Sequence, residues 1–228
     1  MRSSPNSRFV PCQLAVLGFV AVAIAACGTT KPEFTFHKPV DVVKKVVIAQ
    51  YSVEWRNTIT GHTVKMPLDA VHKVISDAPA VFADEIANNS IMKVVPFNGG
   101  VEGLSSRPCA SGLICPATPR PWVLWGEKAG ESCDVSPEIV KALANSNGAD
   151  AVLVVFSFWR LQVGFSKKVV VETTFKLYGK DGQLLASGKA SGKESAGVFP
   201  AGAAAAESFG LATKRSFHDI AVGLGRGN

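Results

Sequence analysis

Residues 42–53 read VVKKVVIAQYSV, β-branched and apolar beyond the lysine pair, which predicts a buried first strand. Residues 55–65, with Thr58, Thr60, Gly61 and His62, predict a loop or short hairpin. From Pro67 the period changes. Leu68, Val71, Val74, Ile75, Ala78, Phe82 and Ile86 recur at three- and four-residue spacings, as on an amphipathic helix. Pro79 inside that run predicts a break, with Asp77 capping a restarted second part. Residues 91–97, IMKVVPF, predict a second short strand.

Ser136-Pro137-Glu138 predicts a helix start, with a capping hydroxyl, Pro at the first position and an acid near the positive end of the helix dipole. Ile139, Val140 and Leu143 give that helix an apolar face, and Gly148 closes it. Residues 151–159, AVLVVFSFW, are apolar on both faces and so belong at the centre of a sheet. In 169–178 Val169, Val171, Thr173, Phe175 and Leu177 alternate with Glu172, Thr174 and Lys176, a strand with one buried face. Lys180-Asp181-Gly182 predicts a hairpin turn into a strand at 184–191, and the Ala-rich stretch 201–224 a final helix. The expected fold is α/β, one domain with a mixed sheet flanked by helices, in the order β-α-β-loop-α-β-β-β-α.

Residues 99–134 fit no period. They hold Pro108, Pro116, Pro119 and Pro121, three Cys, and both Trp122 and Trp125. A loop that long in a compact domain is expected to be functional or tied down. Two aromatics framed by Pro make Trp122 and Trp125 candidate partner-binding residues, with packing of the loop on the sheet as the alternative.

The amino-terminal segment changes the picture most. Residues 1–8 carry Arg2 and Arg8, and 9–23 are apolar apart from Pro11, Gln13 and Gly18. A charged start followed by an apolar run of about 12 to 15 residues is an export signal rather than a spanning helix. It ends in Ile24-Ala25-Ala26-Cys27. That tetrapeptide resembles the lipobox of bacterial lipoproteins, and the resemblance implies cleavage after residue 26 and acylation of Cys27. Gly28 follows where an Asp would resemble the inner-membrane retention signal, which implies the outer membrane, facing the periplasm. The expected division is a signal peptide at 1–26, an acylated Cys with tether at 27–40, and a periplasmic domain at 41–228.

Composition agrees with an exported folded domain. The chain has 228 residues, 47% hydrophobic and 18% charged, which excludes a disordered chain. No apolar run suits a multi-span membrane protein. The net charge of +6 falls to +4 when Arg2 and Arg8 leave with the signal, too little to expect a nucleic-acid partner. Of the five Cys, Cys12 leaves with the signal and Cys27 takes lipid, so Cys109, Cys115 and Cys133 remain as disulfide candidates. The short ring closed by Cys109–Cys115 is the favoured pairing and Cys115–Cys133 the alternative. No C-x-x-C is present and the four His are scattered, so no metal and no cofactor are expected.

Asn147-Gly148-Ala149-Asp150 before AVLVVFSFW, and Tyr178-Gly179-Lys180-Asp181-Gly182-Gln183-Leu184-Leu185, resemble corresponding stretches in one group of envelope lipoproteins. The group includes the amino-terminal domain of the TolB protein, the curli-secretion lipoprotein and the lipoprotein activators of penicillin-binding proteins. Residues 99–134 depart from all of them.

Catalytic patterns are missing. Ser187-Gly188-Lys189-Ala190-Ser191-Gly192-Lys193 has the wrong glycine spacing and an Ala in place of the hydroxyl residue of a phosphate loop. Asp84-Glu85 is the one adjacent acidic pair, expected on a solvated helix face. The expected function is therefore non-enzymatic: a lipid-anchored, protein-binding accessory or regulator of the envelope. A self-assembling subunit of an outer-membrane secretion or pore complex, a homo-oligomer, is the alternative. A cell-wall hydrolase ranks below both.

Overall fold

The doubly apolar segment at 151–159 and the alternating segment after it form the middle of one mixed sheet. The computed structural model describes residues 31–56, 68–98, 122–126, 135–162, 168–195 and 203–227. Its elements are β1 (Glu33–Phe36), β2 (Lys45–Arg56), α1 (Leu68–Asn89), β3 (Lys93–Val95), β4 (Trp122–Gly126), α2 (Pro137–Asn147), β5 (Ala151–Gln162), β6 (Lys168–Gly179), β7 (Leu184–Ser195) and α3 (Ala203–Arg226). The sheet runs β1-β7-β6-β5-β2-β3, with β4 also on β2. β2 is parallel to β3, β4 and β5, whereas β5, β6, β7 and β1 pair antiparallel in sequence.

Two cores share this sheet. The larger lies under α1 and α3. There Phe82 stacks on Phe217 at 4.5 Å between ring centres, and Trp159 stacks on Phe209 at 4.7 Å. The smaller lies under α2, where Val140, Leu143 and Ala144 cover Val47, Ala49 and Val152 on the opposite face. β5 supplies both, Leu153 and Val155 to one and Val152 to the other, as its unbroken apolar run predicts.

A polar chain crosses the larger core. The Ser157 and Thr173 hydroxyls lie 2.9 Å apart, Thr173 lies 2.8 Å from Ser216, and Ser216 donates to the Thr213 carbonyl. These residues are buried and tie β5 and β6 to α3 through satisfied hydrogen bonds. Gly192 of β7 lets α3 come closer still: a Cβ there would stand 1.8 Å from the Ala212 carbonyl oxygen.

Several expectations are corrected. Glu33–Phe36, inside the stretch expected to be a tether, form an edge strand on β7. Phe34 lies 6.0 Å from the Phe175 ring, and its own ring occupies the space a Cβ on Gly223 would need. α1 runs unbroken through Pro79. A mid-helix Pro costs about 3 kcal/mol. Val71, Ile75, Phe82 and Ile86 are all buried, each worth roughly 1.5–3 kcal/mol, and one continuous helix puts them all on the sheet. The segment 99–134, expected to be loop, contains β4. Ser136 does stand at the N-cap of α2, but its hydroxyl makes no capping bond; its carbonyl accepts from Val140 N–H at 3.0 Å. Gly148 caps α2 at φ 61° and Gly182 turns the β6–β7 hairpin at φ 81°, both as expected, whereas the loop or hairpin expected at 55–65 gives its first two residues to β2 and otherwise lies outside the described residues.

Candidate interaction edge

Cys27, Cys109, Cys115 and Cys133 lie outside the described residues. Trp122 and Trp125 belong to β4, where they align with Gln50 and Val53 of β2 in parallel register. β3 pairs with Lys45–Val47 and β4 with Gln50–Glu54, so the two short strands lie end to end along one side of β2. The register of β2 against β5 shifts between Ile48 and Gln50, at this junction. Among the described residues, no strand pairs with the outer side of β3 or β4.

Beside this edge runs an apolar groove of about 350 Å³, lined chiefly by Ile48, Pro79, Ala83, Val94, Val95 and Phe97. Its shape follows from the sequence. Pro79 has no N–H to expose, and the small side chains of Ala80 and Ala83 keep this flank of α1 low. Ser76 and Asp77 make its rim polar. An edge strand offers backbone donors and acceptors, and a groove next to it takes a side chain. Together they suit an extended peptide that adds a strand and inserts an apolar residue.

A second groove, about 450 Å³, opens between α1, α3 and β7. Glu85 forms its floor, a buried carboxylate rather than the solvated residue expected. Its oxygens take hydrogen bonds from Asn89 Nδ2 at 3.1 Å, meet His218 Nδ1 at 3.0 Å, and lie 3.9 Å from Lys214 Nζ. Arg215 pairs with Glu194 at 2.8 Å on the rim. The arrangement joins two helices and a strand by charge, and Lys214, Arg215 and His218 are all engaged in it. Nothing in the sequence around Asp84-Glu85 signals this, because the basic partners, Lys214 and His218, come from a helix more than a hundred residues away. Ser187–Lys193, the segment compared with a phosphate loop, is extended within β7, its backbone committed to the ladder with β6.

The two stretches that carry the family resemblance meet at one end of the sheet. Asp150 Oδ2 accepts from the N–H groups of Lys44 at 3.0 Å and Lys45 at 2.9 Å, fixing the start of β2. Its carbonyl accepts from Lys180 N–H at 2.9 Å, tying in the hairpin turn. A Cβ on Gly182 would strike Pro137, so this turn also seats the start of α2. The motif residues hold the fold together at this corner.

Among the described residues, no helix is long and apolar enough to cross a membrane, and no group of three His, Cys, Asp or Glu side chains could hold a metal ion. No family model matches the chain, and no curated protein matches it. Among solved structures it is similar to the PelC dodecamer from Paraburkholderia phytofirmans, 12% identical, covering 83% of this chain and 97% of that chain at a TM-score of 0.41. It is also similar to the lipoprotein GNA1162 from Neisseria meningitidis, 16% identical, covering 67% and 83% at 0.30. A third likeness is to the LpoB C-terminal domain from Salmonella enterica, 15% identical, covering 76% and 92% at 0.32. At these identities and TM-scores no site, ligand or partner passes from them to this chain.

Proposed function

We propose that this chain is a lipid-anchored accessory protein of the bacterial envelope that holds its α/β domain in the periplasm and binds another protein. The observation that carries this reading is the sequence Ile24-Ala25-Ala26-Cys27 at the end of a charged and then apolar leader. Acylation of Cys27 supplies the anchor, since two or more acyl chains hold a soluble domain firmly on a membrane. The β3–β4 edge with its apolar groove supplies the partner surface, with Trp122 and Trp125 on the strand that forms half of it. No catalytic role is assigned.

The anchor is tested by replacing Cys27 with Ala and fractionating cells. The wild type is expected in the outer-membrane fraction. The variant is expected to leave it, and unchanged partition sinks the reading. For the edge, a photocrosslinking residue at Val95 should give a discrete adduct in intact envelopes that the same residue at Asp84 does not. A ladder of adducts with itself alone would instead favour the self-assembling subunit.

A further inference from the structure

Four large hydrophobic side chains are exposed among the described residues: Phe36 (41%), Val42 (70%), Ile91 (51%) and Leu211 (49%). Three of them gather at one end of the sheet. Phe36 ends β1 opposite Ala186, next to the β6–β7 turn. Val42 precedes β2, and Ile91 precedes β3, whose first residue Lys93 donates its N–H to the Lys44 carbonyl at 2.7 Å.

Lysines occupy the same end. Lys38 and Lys180 rim a notch of about 490 Å³ whose apolar wall is Pro39, Val42, Val43 and Leu185. Lys45 and Lys93 sit directly opposite each other in parallel register, a like-charge juxtaposition that costs stability. Lys45, Lys93 and Lys180 have no carboxylate partner among the described residues. Elsewhere Arg160 pairs with Glu172, Lys189 with Glu33 and Arg215 with Glu194. The nearby acids do not neutralise the end. Asp41, Asp150 and Asp181, the last 3.8 Å from Lys38, stand against Lys38, Lys44, Lys45, Lys93 and Lys180, which leaves this end with a positive excess.

We infer that this end of the domain rests on the anionic headgroup layer of the membrane, with Phe36, Val42 and Ile91 entering the interface and the lysines meeting lipid phosphates. Exposed apolar tips ringed by lysines are the chemistry of interfacial contact. The inference deepens the anchored reading above and rests on it. The tether permits the pose. Cys27 lies six residues before Glu33, a reach of about 20 Å, while three residues, about 10 Å, separate Glu33 from the end of β1 at Phe36. Docked this way, the domain turns its opposite end, where Gln162 of β5 pairs with Lys168 of β6, away from the bilayer.

The test uses the full lipidated chain reconstituted into two kinds of vesicle, one of phosphatidylethanolamine with phosphatidylglycerol and one of phosphatidylcholine. Backbone hydrogen exchange in both is compared. Slower exchange at 36–45 and 90–95 in the phosphatidylglycerol vesicles is expected, reversed by high salt. Lys45→Gln and Lys93→Gln should weaken the bound state about fivefold each, and Val42→Asp should abolish the protection. Denaturant midpoints no lower than that of the wild type show that these variants still fold. Identical exchange in the two vesicles, with the protein incorporated in both, overturns the orientation alone. Failure to incorporate into either overturns the anchor and the orientation with it. Protection in intact envelopes but not in phosphatidylglycerol vesicles also overturns the orientation and assigns this end to a protein partner.

Discussion

Tyr51 and Asp150 show at single-residue scale how burial changes what a side chain does. Tyr51 is buried in the larger core, edge-on to Phe217, and its hydroxyl has no hydrogen-bond partner of good geometry. Desolvation pushes the phenol well above its ordinary value of 10, partly offset by the neighbouring Ser157 and Trp159. The folded state therefore keeps the proton above pH 10 while the unfolded chain releases it. Stability contributed by the neutral phenol is present below pH 10 and falls as pH rises, by up to about 1.4 kcal/mol per unit. Tyr51→Phe should flatten that alkaline loss in denaturant titrations and cost under about 1 kcal/mol at neutral pH, because it removes an unpaired hydroxyl. Asp150→Ala should cost about 1–2 kcal/mol in the same assay, since it strips two backbone N–H groups at the start of β2 of their acceptor. Asp150→Asn should recover part of that loss; full stability in the alanine variant would deny the carboxylate its structural role. The Asp150 motif is visible as a sequence of letters, whereas the burial of Glu85 is not, because its basic partners on α3 are remote in the chain.

Among the elements, length decided legibility. Four strands reach twelve residues, and their patterns announce them. β1 has four residues and two Phe, too few to show a period. Its position comes from β7, whose Gly188 lets Phe34 reach Phe175. Phe34→Ala should therefore lower stability by about 2 kcal/mol, less than a fully buried Phe because the ring is half-exposed. A residue in a mere tether would change nothing. β4 was hidden for another reason: its five residues sit among prolines and glycines that read as loop, and β2 supplies the pairing. Pro79 misled in the opposite direction, because local propensity was outweighed by a buried helix face.

For the whole molecule, the shared sheet couples the two cores. β2 and β5 contribute side chains to both faces, so losing one core strips the other of its support. Leu143→Ala, in the small core under α2, should shift a single cooperative unfolding transition by about 2–5 kcal/mol. A separate early transition, seen by calorimetry, would show that α2 and its core melt independently. The end proposed to meet the membrane also exists only at this scale, since its apolar tips and lysines come from β1, the approaches to β2 and β3, and the β6–β7 turn.

Sequence by itself determined the class of fold, the central strands, the hairpin turn and the cap of α2, because these depend on periodicity and on residues near one another in the chain. It also supplied the leader and Cys27, on which the proposed anchor stands. Tertiary structure alone decided that β3 and β4 line up along β2 as one edge, that Glu85 is buried against α3, and that exposed hydrophobics and a cluster of lysines share one end. Each of these joins segments far apart along the chain, and burial, charge pairing and edge position are properties of the neighbours that folding brings together.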